Sequence, residues 1–163
     1  MRNLVIIAAA LLSLTLPSSV AAQDFDRGVS ALDDGDYPTA LREFSLAAEQ
    51  GFASAQNNLG VMYENGLGVP QNYAEAARLY RLAAEQGDAS AQYNLGVMYG
   101  NGQGLPQNYQ LAYMWFSRAA AKGVERAASA RDKAAGNMTP EQIGRAQQLS
   151  AECFNRNYQG CAK

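Results

Sequence analysis

The sequence predicts an all-α fold, an α/α solenoid of antiparallel helix pairs closed by a C-terminal capping helix. Three observations predict it. Residues 48–73 read AEQGFASAQNNLGVMYENGLGVPQNY and residues 84–109 read AEQGDASAQYNLGVMYGNGQGLPQNY, identical at 21 of 26 paired positions with a period of 36. Self-similarity at such a period marks units too small to bury their own apolar face, which must stack on neighbours. Within each unit the apolar residues recur at helical spacing, and glycine and asparagine interrupt them at fixed offsets.

The elements follow in order. Arg2, the apolar run 4–16, then Pro17, Ser18, Ser19 and Val20-Ala21-Ala22 describe a secretory signal segment over residues 1–22, cleaved after Ala22. Its apolar core is too short for a typical membrane span, and no later segment is apolar enough for one. Residues 23–50 form a first helix pair. In residues 51–86 a first helix presents Ala55, Leu59, Gly60 and Tyr63 on one face, and Asn65-Gly66 ends it. Asn72, after Pro70, caps a second helix that presents Ala76, Ala77, Tyr80, Ala83 and Ala84. Residues 87–123 repeat this with Asn101-Gly102, Pro106 and Asn108, and Gly51, Gly87 and Gly123 end the second helices. Gly60 and Gly96 weaken a helix interior, so the partner helix's backbone is expected to approach them closely. In residues 124–163 a lone helix over 124–135 precedes a capping box, Thr139-Pro140-Glu141-Gln142. It opens a last helix with Ile143, Ala146, Leu149, Ser150, Cys153 and Phe154 on one face.

Composition excludes several functions. The net charge is −2, and removing Arg2 with the leader leaves 12 basic against 15 acidic residues. No basic cluster exists to hold nucleic acid. The chain has no histidine, which removes Ser-His-Asp, Cys-His and histidine-metal arrangements, so no enzyme activity, metal or cofactor is expected. Cys153 and Cys161, the only cysteines, read as a disulfide in an oxidising compartment, adding roughly 2–3 kcal/mol. Two thiolates alone do not complete a zinc site.

The pattern A-x-A-x-x-x-L-G-x-x-Y-x-x-G-x-G-x-P, followed by Y-x-x-A-x-x-x-[YF]-x-x-A-A-x-x-G, resembles the Sel1-like repeat, a relative of the tetratricopeptide repeat. It covers 51–123 in two copies. Residues 25–50 resemble the tetratricopeptide form through Gly28, Ala31, Gly35-Asp36-Tyr37, Ala40, Phe44 and Ala47, without the four-residue loop extension. The resemblance implies a non-catalytic adaptor in signalling or envelope assemblies, here periplasmic or secreted, binding a protein or peptide on a concave face of first helices. A cysteine-rich branch of the family is associated with β-lactam binding or slow hydrolysis. Its cysteine pair within each repeat is missing here, which leaves a weak hydrolase a remote alternative.

Apart from Val69/Leu105, the two copies differ at Phe52/Asp88, Asn57/Tyr93, Glu64/Gly100 and Leu67/Gln103. Asn57 and Glu64 share one helix face, displaced from the Leu59 and Tyr63 stripe. Divergence there is what separate ligand contacts, or a freely drifting solvated face, would produce. The expected partner surface is Val29, Asn57, Val61, Glu64, Tyr93, Val97 and Asn101, with Asn57 and Tyr93 outside the core. An envelope glycan is the alternative partner, since Tyr93, Asn57, Asn101 and Glu64 combine an aromatic platform with polar hydrogen-bonding groups.

Overall fold

The structure, a computed structural model, describes residues 17–156; residues 1–16 and 157–163 lie outside it, and with them most of the expected signal segment and Cys161. Among the described residues there are eight helices and no strand: α1 (Pro17–Asp33), α2 (Tyr37–Glu49), α3 (Ala53–Asn65), α4 (Tyr73–Glu85), α5 (Ala89–Asn101), α6 (Tyr109–Ala121), α7 (Glu125–Ala135) and α8 (Pro140–Asn155). Helices α1–α6 form three successive hairpins, which stack through α2 on α3 and α4 on α5, and α6 carries both α7 and α8. This is the expected stack of helix pairs. The boundary expected after Ala22 falls inside α1, and Asp24, Gly28 and Ala31, on its buried side, lie beyond that boundary.

Local chemistry sets the ends. The Asn72 and Asn108 side chains accept from the backbone N–H groups of Glu75 and Leu111 at 3.1 and 3.0 Å, and Asp36 accepts likewise from Thr39 at 3.2 Å. Each satisfies a donor that the first helical turn leaves unpaired. Thr139 and Gln142 close the expected capping box. The second glycine of each G-x-G loop has a contact to make. At Gly104, φ +71°, a Cβ would sit 2.1 Å from the Tyr73 carbonyl oxygen, and at Gly68 one would sit 2.8 Å from Tyr37 Cβ. Each loop therefore lies against the start of the preceding unit's second helix.

The glycines inside the first helices are explained by rings, which corrects the expected backbone approach. A Cβ on Gly60 would lie 2.7 Å from the Tyr80 ring, and one on Gly96 would lie 2.7 Å from the Phe116 ring. Gly28 repeats the arrangement at 2.6 Å from Phe44. A second-helix aromatic ring thus lies flat in the notch of a first-helix glycine in all three hairpins. One buried cluster surrounds Phe44 and another runs from Tyr80 to Trp115 and Phe116, with half-buried Tyr63 packed against both.

Helix α8 uses a narrower seam than expected. Ala146 and Cys153 are buried and Ile143 and Ser150 half-buried, but Leu149 and Phe154 stay exposed at its edges, Phe154 beneath the Arg118 guanidinium at 4.6 Å.

The rings make a sharp contrast among glycines. Gly60→Ala and Gly96→Ala should each destabilise by about 1–3 kcal/mol through overpacking against a buried ring. Gly100, whose Cβ would meet only Ala112 at 3.8 Å, should tolerate alanine and gain up to about 1 kcal/mol of helix propensity. Urea midpoints measure all three, and equal losses would contradict the ring-in-notch account.

Candidate functional site

Helices α1, α3, α5 and α7 present one face of the stack, and all seven expected partner residues lie on the first three of them. Asn57 is the clearest departure from expectation. It is 8% exposed, and its carbonyl oxygen accepts from Asn94 of the next repeat at 3.0 Å, so it belongs to a buried joint between units. Val29, Val61 and Val97 are half-buried against the core clusters. The Tyr93 ring packs on Phe116, centroids 5.5 Å apart, and the Arg126 guanidinium lies 4.2 Å from its centroid. That engagement leaves no open platform for a sugar ring. Asn101 is exposed and donates to Gln103 at 3.0 Å.

Packing accounts for the divergence between repeats. Tyr80 donates to Glu64 at 2.6 Å; burial first, and then this bond, push the Tyr80 hydroxyl well above the ordinary tyrosine pKa, so it remains a donor. Thirty-six residues on, both partners change together, to Phe116 and Gly100. Phe52 packs edge-on to Phe25 at 5.1 Å, whereas Asp88 caps α5 by accepting from Ala91 N–H at 2.8 Å. Leu67 rests on the first cluster, and Gln103 meets Asn101.

The exchange of Glu64 for Gly100 opens space. A cleft of about 290 Å³ lies between α5 and α7 over α6, lined by Val97, Gly100 and Asn101, by Tyr109 and Phe116, and by Ala130, Lys133, Ala134 and Asn137. Two expected residues, Val97 and Asn101, are on its wall. The residues that sequence reasoning missed come from α7 and the turn after it. A signal for them exists: carrying the period one step further sets Lys133 in register with Val97, and Asn137 with Asn101.

The buried carboxylates are occupied elsewhere. Glu43 and Asp24, each 5% exposed, are bonded to Arg27, and Glu43 also to Arg42. Hydrogen bonds from Arg42 and then Arg27 hold the Glu43 carboxyl below its usual range. No group of three or more His, Cys, Asp or Glu among the described residues is placed to hold a metal. No helix among them is long and apolar enough to cross a membrane. Cys153 is buried on the α8 seam; its expected partner Cys161 lies outside the described residues.

The Sel1 repeat family profile matches residues 53–88 and 89–124, within a residue or two of the expected repeats. A Sel1 repeat protein from Oxalobacter formigenes is 32% identical, with 71% of this chain and 90% of that one covered and a TM-score of 0.65. The chain belongs to the Sel1 repeat family. This Sel1 repeat chain is also similar to a protective antigen of uropathogenic Escherichia coli strains that displays an SLR fold, at 28% identity and TM-score 0.80 over 86% of its length. It spans 31% of that antigen. Cysteine-rich protein B of Helicobacter pylori, at 22% identity and TM-score 0.54, shares the fold over 71% of this chain and 96% of its own. No curated protein matches the chain.

The paired exchange yields a double-mutant cycle. Glu64→Gly should destabilise by stranding a buried tyrosine hydroxyl, at about 1–3 kcal/mol. With Tyr80→Phe the double variant copies the second repeat, and it should recover part of the loss, with a coupling energy of about 0.5–3 kcal/mol. Strictly additive unfolding energies would show that the two positions are independent.

Proposed function

We propose that the chain is a non-catalytic scaffold of the bacterial cell envelope, periplasmic or secreted, which holds a protein or peptide partner on the face formed by its first helices. The observation that carries this reading is the cleft between α5 and α7, a concavity on that face lined by apolar side chains together with Asn101, Lys133 and Asn137. Membership of a repeat family whose stacked units give extended binding surfaces supports it. The absence of histidine and the engagement of Glu43 and Asp24 by arginines support the non-catalytic part. The envelope part rests on the leader-like residues 1–22 and on the Cys153–Cys161 pair expected of an oxidising compartment. Tyr93, taken up by Phe116 and Arg126, favours a peptide over a glycan.

Site-directed photo-crosslinking in the producing cell tests the face. A crosslinker at exposed Asn101 should give discrete protein adducts, and one at exposed Leu82, on second helix α4, should give none. Adducts from Leu82 alone would move the binding surface to the other face. Protein recovered from the envelope in the same preparation should have the intact mass of a chain beginning at Gln23, and a retained leader would contradict export.

A further inference from the structure

Resting on the reading of the first-helix face as the binding surface, we propose that the α5–α7 cleft takes one large apolar side chain of a partner peptide, with an acidic residue beside it held by Lys133. Two positions on the cleft's lining carry smaller residues than one repeat earlier: Gly100 and Ala134 stand where the first repeat and α5 carry Glu64, which accepts from Tyr80 at 2.6 Å, and Met98, which is fully buried. Gly60 and Gly96 are required by the rings on them, but Gly100 is not. Its φ is not left-handed, and a Cβ there would make only an ordinary contact with Ala112 at 3.8 Å. A helical glycine with no steric cause forgoes up to about 1 kcal/mol relative to alanine. What it provides is depth.

Size and charge select the occupant. At about 290 Å³ the cleft lies at the lower edge of small-molecule sites, which suits a single side chain better than a cofactor. Val97, Phe116, Ala130 and Ala134 supply its apolar surface, with Phe116 replacing the tyrosine of the first repeat, and the hydroxyl of Tyr109, also on its lining, accepts from Gln107 at 3.1 Å. No aspartate or glutamate is on its wall, whereas Lys133 is exposed and forms no ion pair among the described residues. Arg126 lies seven residues earlier on α7, roughly 10 Å along the helix at 1.5 Å per residue. Two cations thus mark this end of the face on a chain whose net charge is −2. At the rim the side-chain amides of Asn101 and Asn137 donate to Gln103 and to the Lys133 carbonyl, so toward a peptide backbone they act as acceptors through their oxygens.

Selection from a random heptapeptide display library against the full exported chain tests the assignment, with Gly100→Glu as the counter-target. That variant restores the first repeat's glutamate and closes the cleft. Enriched peptides should share a Leu, Ile, Met or Phe adjacent to Asp or Glu, and synthetic copies should bind more weakly as salt rises. Gly100→Glu and the surface change Lys133→Glu should each weaken them by about tenfold or more, with unchanged circular dichroism and a cooperative melting transition retained. Peptides that bind both variants as tightly as the natural chain, or no enrichment of such sequences over Gly100→Glu, would overturn the proposal. If a crosslinker at exposed Asn65 on α3, outside the cleft, captures a partner in that case, the first-helix face remains the binding surface and only the cleft is excluded. If that capture is also absent, both readings fall.

Discussion

The contact of an aromatic ring with a glycine sets the geometry on which the rest of this molecule depends. Phe44 on Gly28, Tyr80 on Gly60 and Phe116 on Gly96 each bring a second helix close to the first of its pair, because the ring takes the room a Cβ would need. A ring held flat in such a notch buries most of its surface, and Phe44 and Tyr80 are fully buried. Burial of this kind stabilises by about 2–3 kcal/mol per side chain, against about 0.5–1.5 kcal/mol for an ordinary hydrogen bond. The identity of the ring then has consequences at its rim. A tyrosine must find an acceptor for its hydroxyl, which fixes Glu64 beside it; a phenylalanine needs none, which releases position 100. The cleft follows from that release, so the candidate site and the core packing are parts of one arrangement.

The units are joined by a polar ladder. Gln56 and Gln92, both buried, donate to the carbonyls of Ala48 and Ala84 at 3.2 and 3.1 Å, groups at the ends of α2 and α4 that also accept from the backbone N–H of Gly51 and Gly87. Asn94 donates to Asn57 at 3.0 Å across the repeat boundary, and Gln86 donates to Gln56 at 2.8 Å between the two helices of the first repeat. One such bond contributes only about 0.5–1.5 kcal/mol, but a buried amide without its partner costs more. The ladder therefore fixes register more than it adds stability. The G-x-G loops act in the same direction, since Gly68 and Gly104 seat each loop on the start of the preceding second helix.

Much of the fold was legible because a solenoid writes its structure locally. The 36-residue period, the Asn72 and Asn108 caps and the Thr139–Gln142 box depend on residues close in sequence, and the structure places them as the pattern indicates. The site was less legible, for a physical reason. Whether Asn57 faces solvent or a neighbouring unit depends on Asn94, which is 37 residues away. Tyr93 was read as an open platform because neither Phe116 nor Arg126 can be assigned to it from spacing along one helix. The paired exchange of Glu64–Tyr80 for Gly100–Phe116 was present in the sequence and went unread, since comparing the repeats one position at a time hides a change shared by two helices.

Divergence between repeats is thus a poor guide to ligand contacts when taken alone. In this chain the changes at 52/88, 57/93 and 64/100 all answer to a neighbouring helix or cap. The informative deviation is a position where the repeat's own packing requirement has lapsed and nothing from the chain has replaced it. Along α7 that occurs at Ala134, where the preceding first helix carries Met98, and across the cleft at Gly100. Among the described residues no further hairpin stacks on α7, so its inward side chains are released from the requirement to fill space. The end of a repeat stack is therefore where a solenoid can make a pocket at least cost to its core, and α8 leaves this one uncovered because it packs on α6 instead.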